Sequence, residues 1–383
     1  MENQRFAGPL LRLLRLQRDW SQETLCHGIC TVSYLSKIEQ GKAEANEQLL
    51  SDLFDRLGVS WRESSEMTAL RDELYEGIFS ADHEYTAQKL EILEENWDRL
   101  AIGPCYADFV VIRAFHHVQP ELVPKELLPL LEPRQQALLA LLHDQHEMAH
   151  RVYPCALTAH SVGEEALVNG NYTLAFEYFQ LAYDLAARDG YAHLMMYAQH
   201  CMAACCSDMG NFDAMYRHSK LASRLGRVLG ASELLKVIDY NIAATKAEFG
   251  DYEGAYAYFS ALVEPDAMAL HKLAVCCEKL GKKEEALAAL TQAESLESYV
   301  PLKNEMCELV RYRLEHPDYL HDAIYGEILL NTYEQIEKEL SSGFARFHLP
   351  WVTEWLTANR QYRKAFEIIG GFPGNTNLTG LNV

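Results

Sequence analysis

Residues 146–150 read HEMAH. On a helix, H-E-x-x-H sets two imidazoles one turn apart, so that His146 and His150 could share a zinc ion while Glu147 served as general base. The surrounding stretch QALLALLHDQHEMAHRVY has helical apolar spacing. A catalytic zinc needs a third protein ligand, and the available carboxylates, Glu164 and Glu165, fall inside a helix that belongs to a repeat described below. With 15 histidines in the chain, a chance match is ordinary. The bland reading, a helix surface, is therefore preferred, and a zinc metallopeptidase is kept as an alternative. Other enzyme signatures are absent: there is no G-x-x-x-x-G-K-[ST], no G-x-S-x-G and no strand pattern for a doubly wound sheet. The expectation is no catalytic residue, no metal and no cofactor.

The elements that carry these residues are helices throughout. The chain has 383 residues, 49% of them hydrophobic, enough for two or three domains. Its ten cysteines lie inside apolar helical runs such as CMAACC and AVCCEK, which suits reduced, buried thiols in a cytoplasmic protein. Arginines interrupt the apolar residues of MENQRFAGPLLRLLRLQRDW, so this opening reads as an amphipathic helix and not as a signal peptide or membrane span. The formal charge is −21, yet residues 1–60 hold seven Lys/Arg against eight Asp/Glu. Charges more than roughly 8 Å apart are screened at physiological salt, so this nearly neutral segment could meet DNA despite the acidic remainder.

Ser21 is a natural N-cap for SQETLCHGI, in which Leu25 and Ile29 repeat at helical spacing. Thr31 then opens TVSYLSKIEQG, where Val32, Leu35 and Ile38 form one face and Gly41 is a stop. Two short helices joined by a tight turn are what a helix-turn-helix needs. A further helix, NEQLLSDLFDRLGV, supplies Leu49, Leu50, Leu53, Phe54 and Leu57 to cover them.

The run SQETL…SYLSKIEQGK resembles the Xre/Cro-type helix-turn-helix over about 60 residues. That resemblance implies that Gln22 meets a phosphate, that Val32, Ser33 and Lys37 face base edges in the major groove, and that Tyr34 and Lys42 contact the DNA backbone. It also implies a structural ion pair between Arg15 and Glu39. The turn CHGICTVS is a residue shorter than in the phage repressors, which leaves both an inward and an outward orientation open for Val32. So small a basic face implies two copies on two half-sites, hence a homodimer.

Beyond residue 150 the chain repeats. LVNGNYTLAFEYF, SDMGNFDAMYRHS, AEFGDYEGAYAYF and EKLGKKEEALAAL place turn glycines at 170, 210, 250 and 281. Five residues further on stand Ala175, Met215, Ala255 and Ala286, where small side chains let helices approach. These units resemble tetratricopeptide helix hairpins. Fainter copies lie near residues 85 and 362, HHVQPELVPKELLPLLEPR reads as a break, and GGFPGNTNLTGLNV as a loosely ordered tail. The expected fold is all-α: a helix-turn-helix bundle over residues 1–66, a tetratricopeptide-like α-solenoid over 67–370, and the tail over 371–383.

In such an array the first helix of each hairpin lines a concave groove. Ten residues before each turn glycine stand His160, His200, Tyr240 and His271. Neighbouring groove positions hold Glu164, Tyr197, Asp208, Glu248 and Glu278, and Asn241 occupies the repeat's consensus asparagine position. Imidazole, aromatic and carboxylate groups together suit an extended peptide, although an open groove need hold nothing. An Xre-type reader joined to tetratricopeptide repeats is similar to the peptide-pheromone receptors of Gram-positive bacteria, the Rgg, PlcR, NprR and PrgX group. The resemblance implies a transcription regulator of quorum-sensing type, in which a short signalling peptide bound in the groove changes how a homodimer presents its heads to operator DNA. A repressor whose repeats dock a protein partner is the other alternative. No membrane partner is expected.

Overall fold

In the computed structural model, residues 6–59, 61, 64–100, 103–340 and 342–371 are described, and every regular element among them is helical. The tail expected over 371–383 falls outside them except for Gly371. No described helix is long and apolar enough to cross a membrane.

The head comprises α1 (Ala7–Gln17), α2 (Gln22–Cys26), α3 (Val32–Glu39) and α4 (Glu47–Arg56). Ser21 and Thr31 cap their helices as the sequence predicts, and Asn46 caps α4. Ser21 Oγ accepts the Thr24 N–H at 3.0 Å and Thr31 Oγ1 that of Tyr34 at 3.2 Å. Asn46 Oδ1 accepts the Leu49 N–H at 2.8 Å. Each cap satisfies a donor that the helix leaves open. Arg56 of α4 donates to the carbonyls of Leu25 and His27 and so ties the end of α2. Leu50, Leu53, Phe54 and Leu57 are buried, and Phe54 stacks on Trp61 with ring centroids 4.7 Å apart.

Helix α1 crosses α3 at Gly8, where a Cβ would sit 1.9 Å from the carbonyl oxygen of Ile38. That oxygen is backbone and cannot swing away. Gly8→Ala should therefore lower head stability by about 1–3 kcal/mol, the usual cost of overpacking. Thermal melts of the two proteins check this, and an unchanged midpoint would show that α1 can slide off α3.

The rest of the chain is a series of helix hairpins: α5 (Ser65–Ser80) with α6 (His83–Glu95), followed by a short α7 (Trp97–Leu100). Next come α8 (Tyr106–His117), then α9 (Pro133–Leu142) with α10 (His146–Val152). Short 3-10 turns fill the proline-rich break between α8 and α9. Then follow α11 (Ala156–Val168) with α12 (Tyr172–Asp189), and α13 (Ala192–Asp208) with α14 (Phe212–Leu229). The series ends with α15 (Ser232–Glu248) and α16 (Tyr252–Phe259), α17 (Ala267–Lys279) and α18 (Lys283–Ser295), α19 (Lys303–Glu315) and α20 (Ala323–Glu339), and α21 (Ser342–Ala358) and α22 (Tyr362–Gly371).

One turn geometry recurs. Gly210, Gly250 and Gly281 have φ of 71°, 88° and 72°. The following residue donates back across the helix end: Asn211 to Cys206, Asp251 to Lys246 and Lys282 to Cys277, each at 2.8 Å. This is the Schellman closure of a helix. The two faint copies use it too, with Ala81 and Arg360 in the left-handed position at φ of 59° each, and so does a hairpin that the sequence did not mark as a repeat, with Asp144 at 55°. Asp82, Gln145 and Gln361 there donate to Gly77, Ala140 and Leu356. The contact positions Ala175, Met215, Ala255 and Ala286 are all buried.

The chain separates into two compact units, Met1–Asn169 with Leu174–Ala198, and Gly170–Thr173 with Gln199–Val383. In unit 1 one buried cluster runs from Phe6 in the head through Leu74 and Phe109 to Leu138. Inside it Asp108 accepts from Tyr75 Oη at 2.6 Å and from Gln135 Nε2 at 2.7 Å. In unit 2 the core runs from Ala243 to Ala365 through Val275, Leu290, Tyr325 and Val352.

Candidate functional site

Two arrangements of residues qualify, one in each unit. In the head, α3 divides into two faces. Leu35, Ile38 and Glu39 are buried, whereas Val32, Ser33, Tyr34 and Lys37 are exposed. Val32 is 43% exposed, so the short turn leaves it outward-facing. Lys42 is exposed just beyond α3, as are Arg12 and Arg18 on α1. Tyr34 Oη donates to the Glu44 carbonyl at 2.8 Å, which holds its ring against the segment after α3.

Beneath this face lies an ionic knot. Arg15 Nε and Nη2 donate to the two oxygens of Glu39 at 2.6 and 2.8 Å, and Arg15 Nη1 donates to the Trp20 carbonyl at 2.7 Å. Arg15 is 7% exposed and Glu39 4%. Gln22, expected at a phosphate, is half-buried, and its Nε2 donates to Glu39 Oε2 at 2.8 Å. This amide fastens α2 to the ion pair, because Glu39 has a lone pair left over after receiving Arg15.

In unit 2, a cavity of about 370 Å³ opens between α13, α15, α17 and α21. Five residues read from the sequence as groove-lining are brought together there: His200, Asp208, Tyr240, Asn241 and Glu248. The others are not. His271 does not line the cavity: it is 1% exposed, and it packs among Phe347, His348 and Trp351 with ring centroids 5.8–6.4 Å away. The repeat series continues past α17, and α21 folds over the face that would otherwise be open. His160, Glu164 and Tyr197 belong to unit 1. His160 is buried against Phe179, and its Nδ1 faces Glu164 at 3.4 Å, while Tyr197 lies half-buried near His83. Glu278 is paired with the buried Arg313.

Sequence reasoning missed the cavity's cations. Arg346 of α21 donates through Nη1 to Asp208 Oδ1 at 3.0 Å and through Nε to Glu248 Oε1. Burial pushes the Glu248 carboxyl above its ordinary range, an effect that Arg346 opposes. Lys272 lines the same cavity, and burial pulls its ammonium down to about 8, against the pull of Glu248. Arg346 lies 138 residues from Asp208 in the chain, so no local pattern announces the contact.

HEMAH is helical, as its spacing predicts. His150 Nδ1 lies 3.0 Å from Thr158 Oγ1, its ring sits edge-on to Tyr178, and burial lowers its pKa. Among the described residues no three ligating side chains converge on a metal position.

Among solved structures the chain is similar to Bacillus thuringiensis PlcR, determined in complex with the peptide PapR7 and DNA. The two are 14% identical, the match covers 94% of this chain and 98% of that one, and the TM-score is 0.20. No curated protein matches. Residues 11–64 match the family model described as "Helix-turn-helix", and with the capped α2 and α3, the glycine turn and the outward polar face of α3, the N-terminal segment is a helix-turn-helix domain.

Proposed function

We propose that the protein is a transcription regulator that reads operator DNA with α3 as a homodimer, and that a short signalling peptide engages the cavity of unit 2. The observation that carries the DNA half is the division of α3 within the helix-turn-helix match, with Ser33 and Lys37 outward and Leu35 and Ile38 in the core. A serine hydroxyl and a lysine ammonium can both read base edges. The cations of this face are few, Lys37 on α3 and Lys42 just beyond it, which supports binding by two copies and not by one. The peptide half is supported by the company of Tyr240, Asn241, Asp208, Glu248 and His200 around one cavity. Hydroxyl, amide and carboxylate groups there match the donors and acceptors of a peptide backbone.

The test is selection of binding sites from random duplex DNA, followed by affinity measurements at fixed salt. Ser33→Ala and Lys37→Ala should each weaken binding to the selected site by about 1–3 kcal/mol while leaving the fold unchanged. Wild-type affinity in both variants would remove the outward face of α3 as the reader.

A further inference from the structure

We propose that the unit 2 cavity seats a carboxylate of the ligand against Lys272, and that for a peptide this is the C-terminal carboxylate. The second half rests on the peptide reading above.

Lys272 is 8% exposed, lines the cavity, and holds its Nζ 4.0 Å from the centre of the Phe347 ring. No carboxylate among the described residues forms an ion pair with it. Glu248 is close enough to favour the charged amine, but its Oε1 accepts from Arg346. Asp208, the other acid of the cavity, also takes Arg346, at 3.0 Å. The two acids are thus already neutralised in part, and the buried ammonium lines the cavity beside the Phe347 ring, with acids near it but without an ion-pair partner among the described residues. Burying a charge without a counter-ion is costly, and an arriving carboxylate would supply one.

The surroundings fit the end of a peptide. A guanidinium carries five N–H groups, and three of those on Arg346 go to Glu248, Asp208 and Ser207, which leaves donors over for the same anion. The Tyr240 hydroxyl and the Asn241 amide line the same space and could meet the last backbone amides. A volume of about 370 Å³ is at the small end of ligand sites, which run from about 300 to 1,000 Å³. That suits a chain terminus better than a whole extended peptide. A free phosphate or an acidic side chain would bring similar charge, so the experiment has to separate them.

The full-length protein is incubated with an equimolar mixture of random heptapeptides lacking Asp and Glu, half as free acids and half as C-terminal amides, and captured peptides are counted by mass spectrometry. Acids should exceed amides about tenfold, the worth of one charge-assisted hydrogen bond. Lys272→Met should bring the ratio close to one, and Lys272→Arg should keep it well above one. Because methionine suits a buried site, the melting midpoint of Lys272→Met tells loss of charge from loss of fold. In a second arm, acetate and inorganic phosphate are titrated against thermal stability at constant ionic strength. Peptides captured equally as acids and amides would overturn the proposal and leave the peptide reading standing. Failure to capture any peptide, together with Lys272-dependent stabilisation by acetate, would uphold the carboxylate seat and overturn the peptide reading. A Lys272-dependent response to phosphate alone, or no response in either arm, would overturn the carboxylate seat.

Discussion

Replacing Glu39 by alanine should cost the head about 3–5 kcal/mol, the penalty for stranding one member of a buried ion pair. Arg15, 7% exposed, would keep only the Trp20 carbonyl as a hydrogen-bond partner, and Gln22 would lose its acceptor as well. Since whole domains are stable by only about 5–15 kcal/mol, the head of Glu39→Ala should melt well below that of the wild type and lose DNA binding with it. The paired change Arg15→Met with Glu39→Leu should recover most of the stability, because apolar groups of similar volume can replace a buried pair at little cost. Equal melting midpoints for wild type and Glu39→Ala would show that the knot contributes nothing. The double variant also separates fold from recognition: if it melts like wild type and still binds DNA, neither residue reads the operator.

Unit 2 should weaken steeply in mild acid because of two histidines that the repeat register places near each other only through α21. Among the described residues neither ring nitrogen of His271, nor Nε2 of His348, has a hydrogen-bond partner in good geometry, and the Met306 backbone only weakly favours the charged His271. Burial, reinforced by the neighbouring positive charges of Lys272 and Arg313, holds His271 well below its ordinary pKa. The same burial takes His348 down to about 3, although its bond to the Phe344 carbonyl opposes this. In the unfolded chain both titrate near about 6.5. The folded state therefore binds fewer protons, so stability is full above that value and falls as pH drops through it. Each histidine contributes a slope of about 1.4 kcal/mol per pH unit below it. By pH 5 His348 alone should cost about 2 kcal/mol, and His271 adds in the same direction. Glu248, whose folded pKa is raised, works in the opposite direction, so the decisive quantity is a difference. Urea unfolding of wild type and of His271→Leu with His348→Leu, compared at pH 7.5 and 5, should show the double variant losing far less. Parallel losses would mean that the rings take up protons while folded.

What the sequence determined was everything set by local chemistry. Ser21 and Thr31 announce helix starts because their short polar side chains reach the next free N–H. Gly210, Gly250 and Gly281 announce hairpin turns because left-handed backbone favours glycine. The spacing of α3 gave Leu35 and Ile38 as its buried side for the same local reason, but it left Val32 open, and only the folded head turns Val32 outward. Where the turn position is filled by Ala81, Asp144 or Arg360, the same geometry forms without its marker, and those hairpins read faintly or not at all. What only the tertiary structure decided depends on contacts between residues far apart in the chain. The register that set His200 and Tyr240 beside one cavity predicted the same for His271. A helix much later in the chain, α21, covers that histidine and sends Arg346 to Asp208 and Glu248. Its length and polarity gave no hint of this, because a side chain's partners across a superhelix follow from how whole hairpins stack and not from the spacing along any one of them.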